Sequence, residues 1–425
     1  MSEPEVVKRD KEDYVELTRS EMQNHYRTES TKEEKIKPKE HTAKNNVSDF
    51  FESKFFSWFY HYFRSRFGPR HDFLNYSMQS DDNGIYKLEK TSTLDKPGIS
   101  ISLVADWATD TNESDRIGSL IESHKPDYSI HLGDIYFVGM KDEIAQNFFN
   151  ENCSWYRGTS GSFSIIGNHE MYSRGISYFR DLLPTMGVHS KKENKYLGQK
   201  TSYFCLENEH WRIISLDTGY NSVGIPIIEY LFKPKHNFHD DIMEWLEGTL
   251  DIKNDKRGII FLTHHQYCSA FEEDYKKAGE QLASLIGDDR NVLWFWGHEH
   301  RMAVYGKYKH DKGISAYGRC IGNGGMPVEF KHKIKHSRAK ECNLILYDER
   351  KYTEIKDIDI GYNGFVILNI NGSVLTAEYF DIHNELLLKE MWTADNQTGE
   401  IKGKEIELTC KDLTLYAGDI NKALV

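Results

Sequence analysis

Val292-Leu293-Trp294-Phe295-Trp296-Gly297-His298-Glu299-His300 is the stretch that decides how the rest of this chain is read. Its five leading apolar residues fit a buried strand, and the glycine closes it. Two histidines follow, two positions apart. In extended backbone that spacing points both imidazoles the same way. Neutral imidazole is the commonest metal ligand, so paired histidines at a strand end raise the question of a metal. A surface loop that happens to carry histidines is the plainer account. It loses ground because four upstream stretches share the design of an apolar strand followed by Asp, Asn or His.

Those stretches are Ile99–Val104 before Asp106, Tyr128–Leu132 before Gly133-Asp134, Phe163–Ile166 before Gly167-Asn168-His169-Glu170, and Gly258–Leu262 before Thr263-His264-His265. Helical segments are expected at Ser114–His124, Lys141–Asn150, Asp240–Leu250 and Glu272–Ile286. Strand alternating with helix argues for a layered α/β domain, and open α/β sheets place ligands at the carboxyl ends of their strands. After residue 301 the pattern turns to strands, and Asn371-Gly372 between two alternating runs is a hairpin signal.

Composition sets the outer limits. The 425 residues are 39% hydrophobic and 13% aromatic, enough for a sizeable core. A net charge of −12 speaks against binding nucleic acid by phosphate neutralisation, so no specific nucleic-acid binding is expected. The six scattered cysteines form no C-x-x-C pair and fit reduced thiols. Residues 1–30 hold no apolar secretory core, and no apolar run reaches the roughly 18 residues that span a bilayer. The expectation is a cytoplasmic protein, at most peripheral to a membrane.

The chain divides by composition. Residues 1–46 are rich in Lys and Glu and read as a charged flexible tail. Residues 47–83 comprise an aromatic amphipathic helix, VSDFFESKFFSWFYHYFRSRF over 47–67, and a linker. That helix either packs on the body or a second copy, or lies on a membrane surface or protein partner. Residues 84–395 form the main domain, and 396–425 a C-terminal extension.

The five strand-end clusters combine carboxylate, amide and imidazole donors, a mixed O/N set that suits Zn, Mn or Fe. Two such ions can clamp the attacking and leaving oxygens of a phosphoryl displacement. In this order, Asp106, Gly133-Asp134, Gly167-Asn168-His169-Glu170, a later histidine and Gly297-His298-Glu299-His300 resemble the calcineurin-like metallophosphoesterase superfamily. The branch most similar is the one around the purple acid phosphatases.

That resemblance implies a four-layer α/β–β/α sandwich of two mixed β-sheets flanked by helices, the metallo-dependent phosphatase fold. It implies two divalent or trivalent transition-metal ions and hydrolysis of a small phosphate mono- or diester by a metal-bridging hydroxide. Carried over to this sequence, Asp106, Asp134 and His300 would hold the first ion, with Asp134 bridging. Asn168, His264 and His298 would complete the second. His169 would serve the leaving group and Glu170 would orient it, making His169, Glu170 and Asp134 the catalytic set. His265 would face substrate or pack, and Asn323, in Gly322-Asn323-Gly324-Gly325, would approach phosphate or form a plain turn.

Two departures stand out. Ala108 occupies the position two after Asp106 where many relatives carry a histidine. Phe137 stands where the purple acid phosphatases place a tyrosine ligand, with Tyr136 one position early. A labile first site with three protein ligands, and no tyrosinate-to-iron colour, is therefore expected. The reading from a different class is a catalytically weak or inactive scaffold that uses residues 47–67 to bind a membrane or partner.

Overall fold

The computed structural model describes residues 69–425 except 80, 91–96, 150–152, 224–235, 288, 331–332 and 356–357. The charged tail and the aromatic segment 47–67 lie outside the described residues. No described helix is long and apolar enough to cross a membrane.

Two nine-stranded sheets face each other. In the first, Trp211–Ser215, Gly258–Thr263, Asn291–Trp296 and Ser315–Ile321 run parallel at the centre, with antiparallel strands such as Met302–Lys309 toward one edge. In the second, Ile99–Val104, Tyr128–His131 and Gly161–Ser164 are parallel. Beside Ile99–Val104 the strands Gly364–Asn371, Val374–Asp381, Leu386–Ala394 and Ile401–Leu408 continue the second sheet as an antiparallel meander.

Alternation along each strand explains the layering. Ile101, Leu103, Ile130 and Phe163 from one sheet meet Ile213, Ile260, Leu262, Leu293 and Phe295 from the other in a common core. The opposite faces are also apolar, as strands buried on both sides require. Ile259, Phe261, Trp294 and Trp296 pack against Ile242, Leu246 and Leu282 of the helical segments on that side. Val104 and Ile367 pack against Ile117, Ile121 and Ile144 on the other. Each fully buried side chain of this kind is worth about 1.5–3 kcal/mol. The order helix–sheet–sheet–helix is the expected four-layer sandwich.

Local chemistry sets the helix ends. Asn112–His124 starts at Thr111, whose hydroxyl accepts from the Ser114 N–H at 3.2 Å, and stops at Lys125 in the left-handed region. The helix expected from Glu272 begins instead at Lys276, because Ser269 and Asp274 hold the preceding loop by accepting from Glu272 and Ser269 N–H groups. Residues 401–425 contribute Ile401–Leu408 to the second sheet and Thr414–Leu415 to the first.

The parallel strands of both sheets bring their carboxyl ends to one place. Asp106, Asp134 and Asn168 arrive from the second sheet, and His264, His298 and His300 from the first.

Candidate metal centre

Three of the strand ends adopt backbone that ordinary residues avoid. Asp106, Asp134 and His298 have φ of +55°, +68° and +64°, the left-handed region. Non-glycine residues held there cost on the order of 1 kcal/mol and persist where the surroundings enforce them. The glycines of the motifs permit close approach. A Cβ on Gly297 would stand 2.6 Å from Asp106 Oδ2, and one on Gly167 would collide with the Asp134 carboxylate.

Asp106, Asp134 and His300 form one group of potential ligands, and His264, His265 and His298 another. Within each group the donor atoms lie within 4.8 Å of one another. His300 Nε2 is 3.3 Å from Asp106 Oδ1. Asp134 faces both groups: its Oδ1 is 3.3 Å from His264 Nε2, and its Oδ2 is 3.1 Å from the Tyr136 hydroxyl. The Asn168 amide oxygen completes the second group at 3.1 Å from His264 Nε2. His264 sets its Nδ1 2.9 Å from the Leu132 carbonyl, the contact that leaves Nε2 aimed at the donors.

Tyr136 was not among the expected donors, yet its hydroxyl sits inside the first group. It is 2.9 Å from Asp106 Oδ1 and 2.8 Å from His300 Nε2. The first group thus offers a fourth potential donor beside Asp106, Asp134 and His300, where the sequence suggested three. Position counting pointed to Phe137, whose carbonyl instead meets His169 Nδ1 at 2.7 Å. The Gly133-Asp134-Ile135-Tyr136 run was the available signal.

Glu170 also differs from expectation. Its carboxylate accepts from the Gly167 N–H at 2.9 Å and the Asp134 N–H at 3.3 Å, so it ties two ligand-bearing turns together. The Phe137 carbonyl, not Glu170, contacts the His169 ring. His169 Nε2 lies 3.8 Å from Asp134 Oδ2, at the more open side of the site.

His265, the third histidine of the second group, is buried. Its Nδ1 is 3.1 Å from Thr218 Oγ1, and its ring centroid is 4.6 Å from His298 and 4.5 Å from His236. Asn323 donates through Nδ2 to the Tyr362 carbonyl at 3.3 Å. In the same loop, the N–H groups of Gly324 and Met326 donate to the carbonyls of Ala105 and Asp106. These bonds brace the turn that carries Asp106 and commit two N–H groups of the loop within the protein.

The electrostatics show that the centre seeks positive charge. Burial raises the Asp106 carboxyl to about 6, with Asp134 adding to the rise against His264 and His298. Burial would raise Asp134 too, but His264 and His169 outweigh it and hold the carboxylate well below its ordinary range. His264 is pushed up to about 9, since the pull of Asp134 and Asp106 exceeds the burial that opposes it. Burial and the charge on His264 take His298 down to about 3, which favours a neutral imidazole ready to ligate. Its Nδ1 is buried with no hydrogen-bond partner among the described residues. Buried carboxylates grouped with imidazole nitrogens are a donor set that fits transition-metal ions.

Fold and donors together define a metallophosphoesterase-type domain. The calcineurin-like phosphoesterase family profile matches residues 100–302, the segment that carries every donor above, and that segment belongs to the family. Among solved structures, similarity extends to the one described as GAP50, the anchor in the inner membrane complex of Plasmodium. There the identity is 14%, the coverage 71% of this chain and 90% of that chain, and the TM-score 0.44. PhoD is similar at 11% identity, 78% of each chain and a TM-score of 0.45. Vps29 from Entamoeba histolytica is similar at 9% identity, 73% of this chain and 100% of that chain, with a TM-score of 0.24. No curated protein matches the sequence.

Proposed function

We propose that the chain hydrolyses small phosphate mono- or diesters with two transition-metal ions, by direct transfer of the phosphoryl group to water. The observation that carries this reading is the placement of Asp134, whose two oxygens address two separate donor groups. Asp106, Asp134, His300 and Tyr136 would hold one ion; Asp134, Asn168, His264 and His298 would hold the other. Ions so bound polarise phosphoryl oxygens and make water a nucleophile at neutral pH.

The remaining work belongs to the protein. His169 is anchored at Nδ1 by the Phe137 carbonyl, which leaves Nε2 as the atom presented to substrate. In its protonated form it can give a proton to the departing oxygen, a role worth about 10²–10⁴ in rate. Glu170 keeps the Asn168 turn in register with Asp134, so that the donors of the two ions stay at a fixed separation. The burial of Asp106, Asp134 and His264 excludes water from the ligand side and leaves the His169 side open.

The test is metal stoichiometry by elemental analysis, coupled to hydrolysis of an aryl phosphate monoester and the matching diester after loading with Mn, Zn or Fe. Two ions per chain and ester cleavage abolished by Asp134→Asn are expected. A protein that takes up no ion, or that binds two and cleaves neither ester, would sink the proposal.

A further inference from the structure

Asn168 begins a single helical turn, Asn168–Met171, and Tyr172 caps its end. Residues four apart on a helix stack on one face, and here the spacing has a chemical use. The Asn168 Nδ2 donates to the Tyr172 hydroxyl at 3.1 Å while its Oδ1 faces His264 Nε2 at 3.1 Å. An amide has two ends of nearly equal shape, and only the oxygen can serve as a metal ligand. A hydroxyl that accepts from the nitrogen end selects which way the amide points. The same tyrosine ring lies 4.9 Å from the His169 ring, whose other neighbour is the Tyr136 ring at 4.3 Å.

We propose that Tyr172 is a positioning residue that fixes the Asn168 amide with its oxygen toward the second ion and confines the His169 ring between two tyrosines. The proposal rests on the two-ion reading given above. The plainer account is a tyrosine that only packs, half-buried at the edge of the outer apolar cluster. The two accounts part on the hydroxyl. Packing needs the ring alone, whereas amide selection needs the oxygen.

The experiment titrates Mn into metal-free protein and follows heat and the Mn paramagnetic signal for wild type, Tyr172→Phe, Asn168→Asp and the double variant. Partners that orient a ligand typically contribute about 10–100-fold in metal affinity. Tyr172→Phe should therefore weaken the second ion about 10-fold and leave the first unchanged, with the unfolding temperature preserved. Asn168→Asp offers an oxygen at both ends, so in that background the loss of the hydroxyl should cost under about threefold. Tyr172→Ala, which also frees the His169 ring, should lower kcat further than Tyr172→Phe does. Equal second-ion affinity in wild type and Tyr172→Phe overturns this proposal and leaves the two-ion reading standing. A wild type that binds a single ion overturns the two-ion reading itself. An equal loss in both backgrounds also overturns the proposal, since the hydroxyl would then do something other than select the amide.

Discussion

The hydroxyl of Tyr136 lies 2.8 Å from Nε2 of His300 and 3.1 Å from Oδ2 of Asp134, in the midst of the first donor group. Burial and the two carboxylates keep that phenol protonated, well above its ordinary range, while no cation is bound. An ion entering the group would meet a phenol oxygen in addition to Asp106, Asp134 and His300.

Tyr136→Phe should therefore weaken the first ion by about 10–100-fold and leave the second nearly unaffected. Ferric-loaded wild type should absorb in the visible through phenolate-to-iron charge transfer, and the variant should be colourless. Optical spectra beside metal titrations read both outcomes. A coloured Phe variant would exclude Tyr136 as the ligand.

His169→Ala should lower kcat by about 10²–10⁴ and leave both ions in place. Elemental analysis on the same preparation separates this from ligand loss. A variant that is slow only because it has lost metal would move His169 from the catalytic to the structural account. The contrast with Asp134→Asn, which should lose both metal and rate, makes the comparison internal.

Asp217, which is not itself among the candidate ligands, offers a test of pH dependence. Burial raises its carboxyl to about 6, against hydrogen bonds from Ser202 and the Tyr220 N–H. The folded state therefore keeps a proton between roughly pH 4 and 6 that the unfolded chain has released. The stability from this group is full below about pH 4 and is lost as pH rises through about 6. Asp217→Asn cannot ionise, so its stability relative to wild type should improve between pH 4.5 and 7, by about 2 kcal/mol. Urea midpoints across that range measure it. A gap that does not change with pH would mean that Asp217 is not the titrating group.

Arg319 and Glu390 make a buried ion pair between the two sheets, with Nε to Oε1 at 2.8 Å and Nη2 to Oε2 at 2.5 Å. Tyr379 and Trp392 also donate to the same carboxylate. Arg319→Met would leave a buried carboxylate short of its counter-charge, at a cost of roughly 3–5 kcal/mol. Adding Glu390→Gln should recover part of that loss. Denaturant unfolding of the single and double variants decides the matter.

Much of this was legible in the sequence because periodicity and strand-end chemistry are local. Five apolar runs, each followed by O or N donors, predicted which loops meet, and His264 directly after its strand does face the donors. The choice between Tyr136 and Phe137 was not legible. Where a side chain ends after a turn depends on backbone angles, and Asp134 enters that turn at φ +68°. Glu170 was likewise misjudged, because a carboxylate next to His169 in sequence can satisfy backbone N–H groups at lower cost than it can reach the ring. Ile401–Leu408 escaped notice because its alternation is carried by lysine and glutamate, as befits an edge strand. Met302–Lys309 was hidden by its start, only two residues beyond His300.

The donors come from two sheets, so a bound ion is also a rivet. Asp106, Asp134 and Asn168 belong to one half of the sandwich, and His264, His298 and His300 to the other. Any cation that the assembled halves hold, and that neither half holds alone, draws the folding equilibrium toward the joined form by about 2.7 kcal/mol at a hundredfold excess over its Kd. Chelation should therefore lower the melting temperature as well as silence the chemistry. Mutations that loosen the sandwich far from the centre should in turn be partly rescued by added metal. Tolerance of the chain to such changes would then depend on how much metal the surroundings supply.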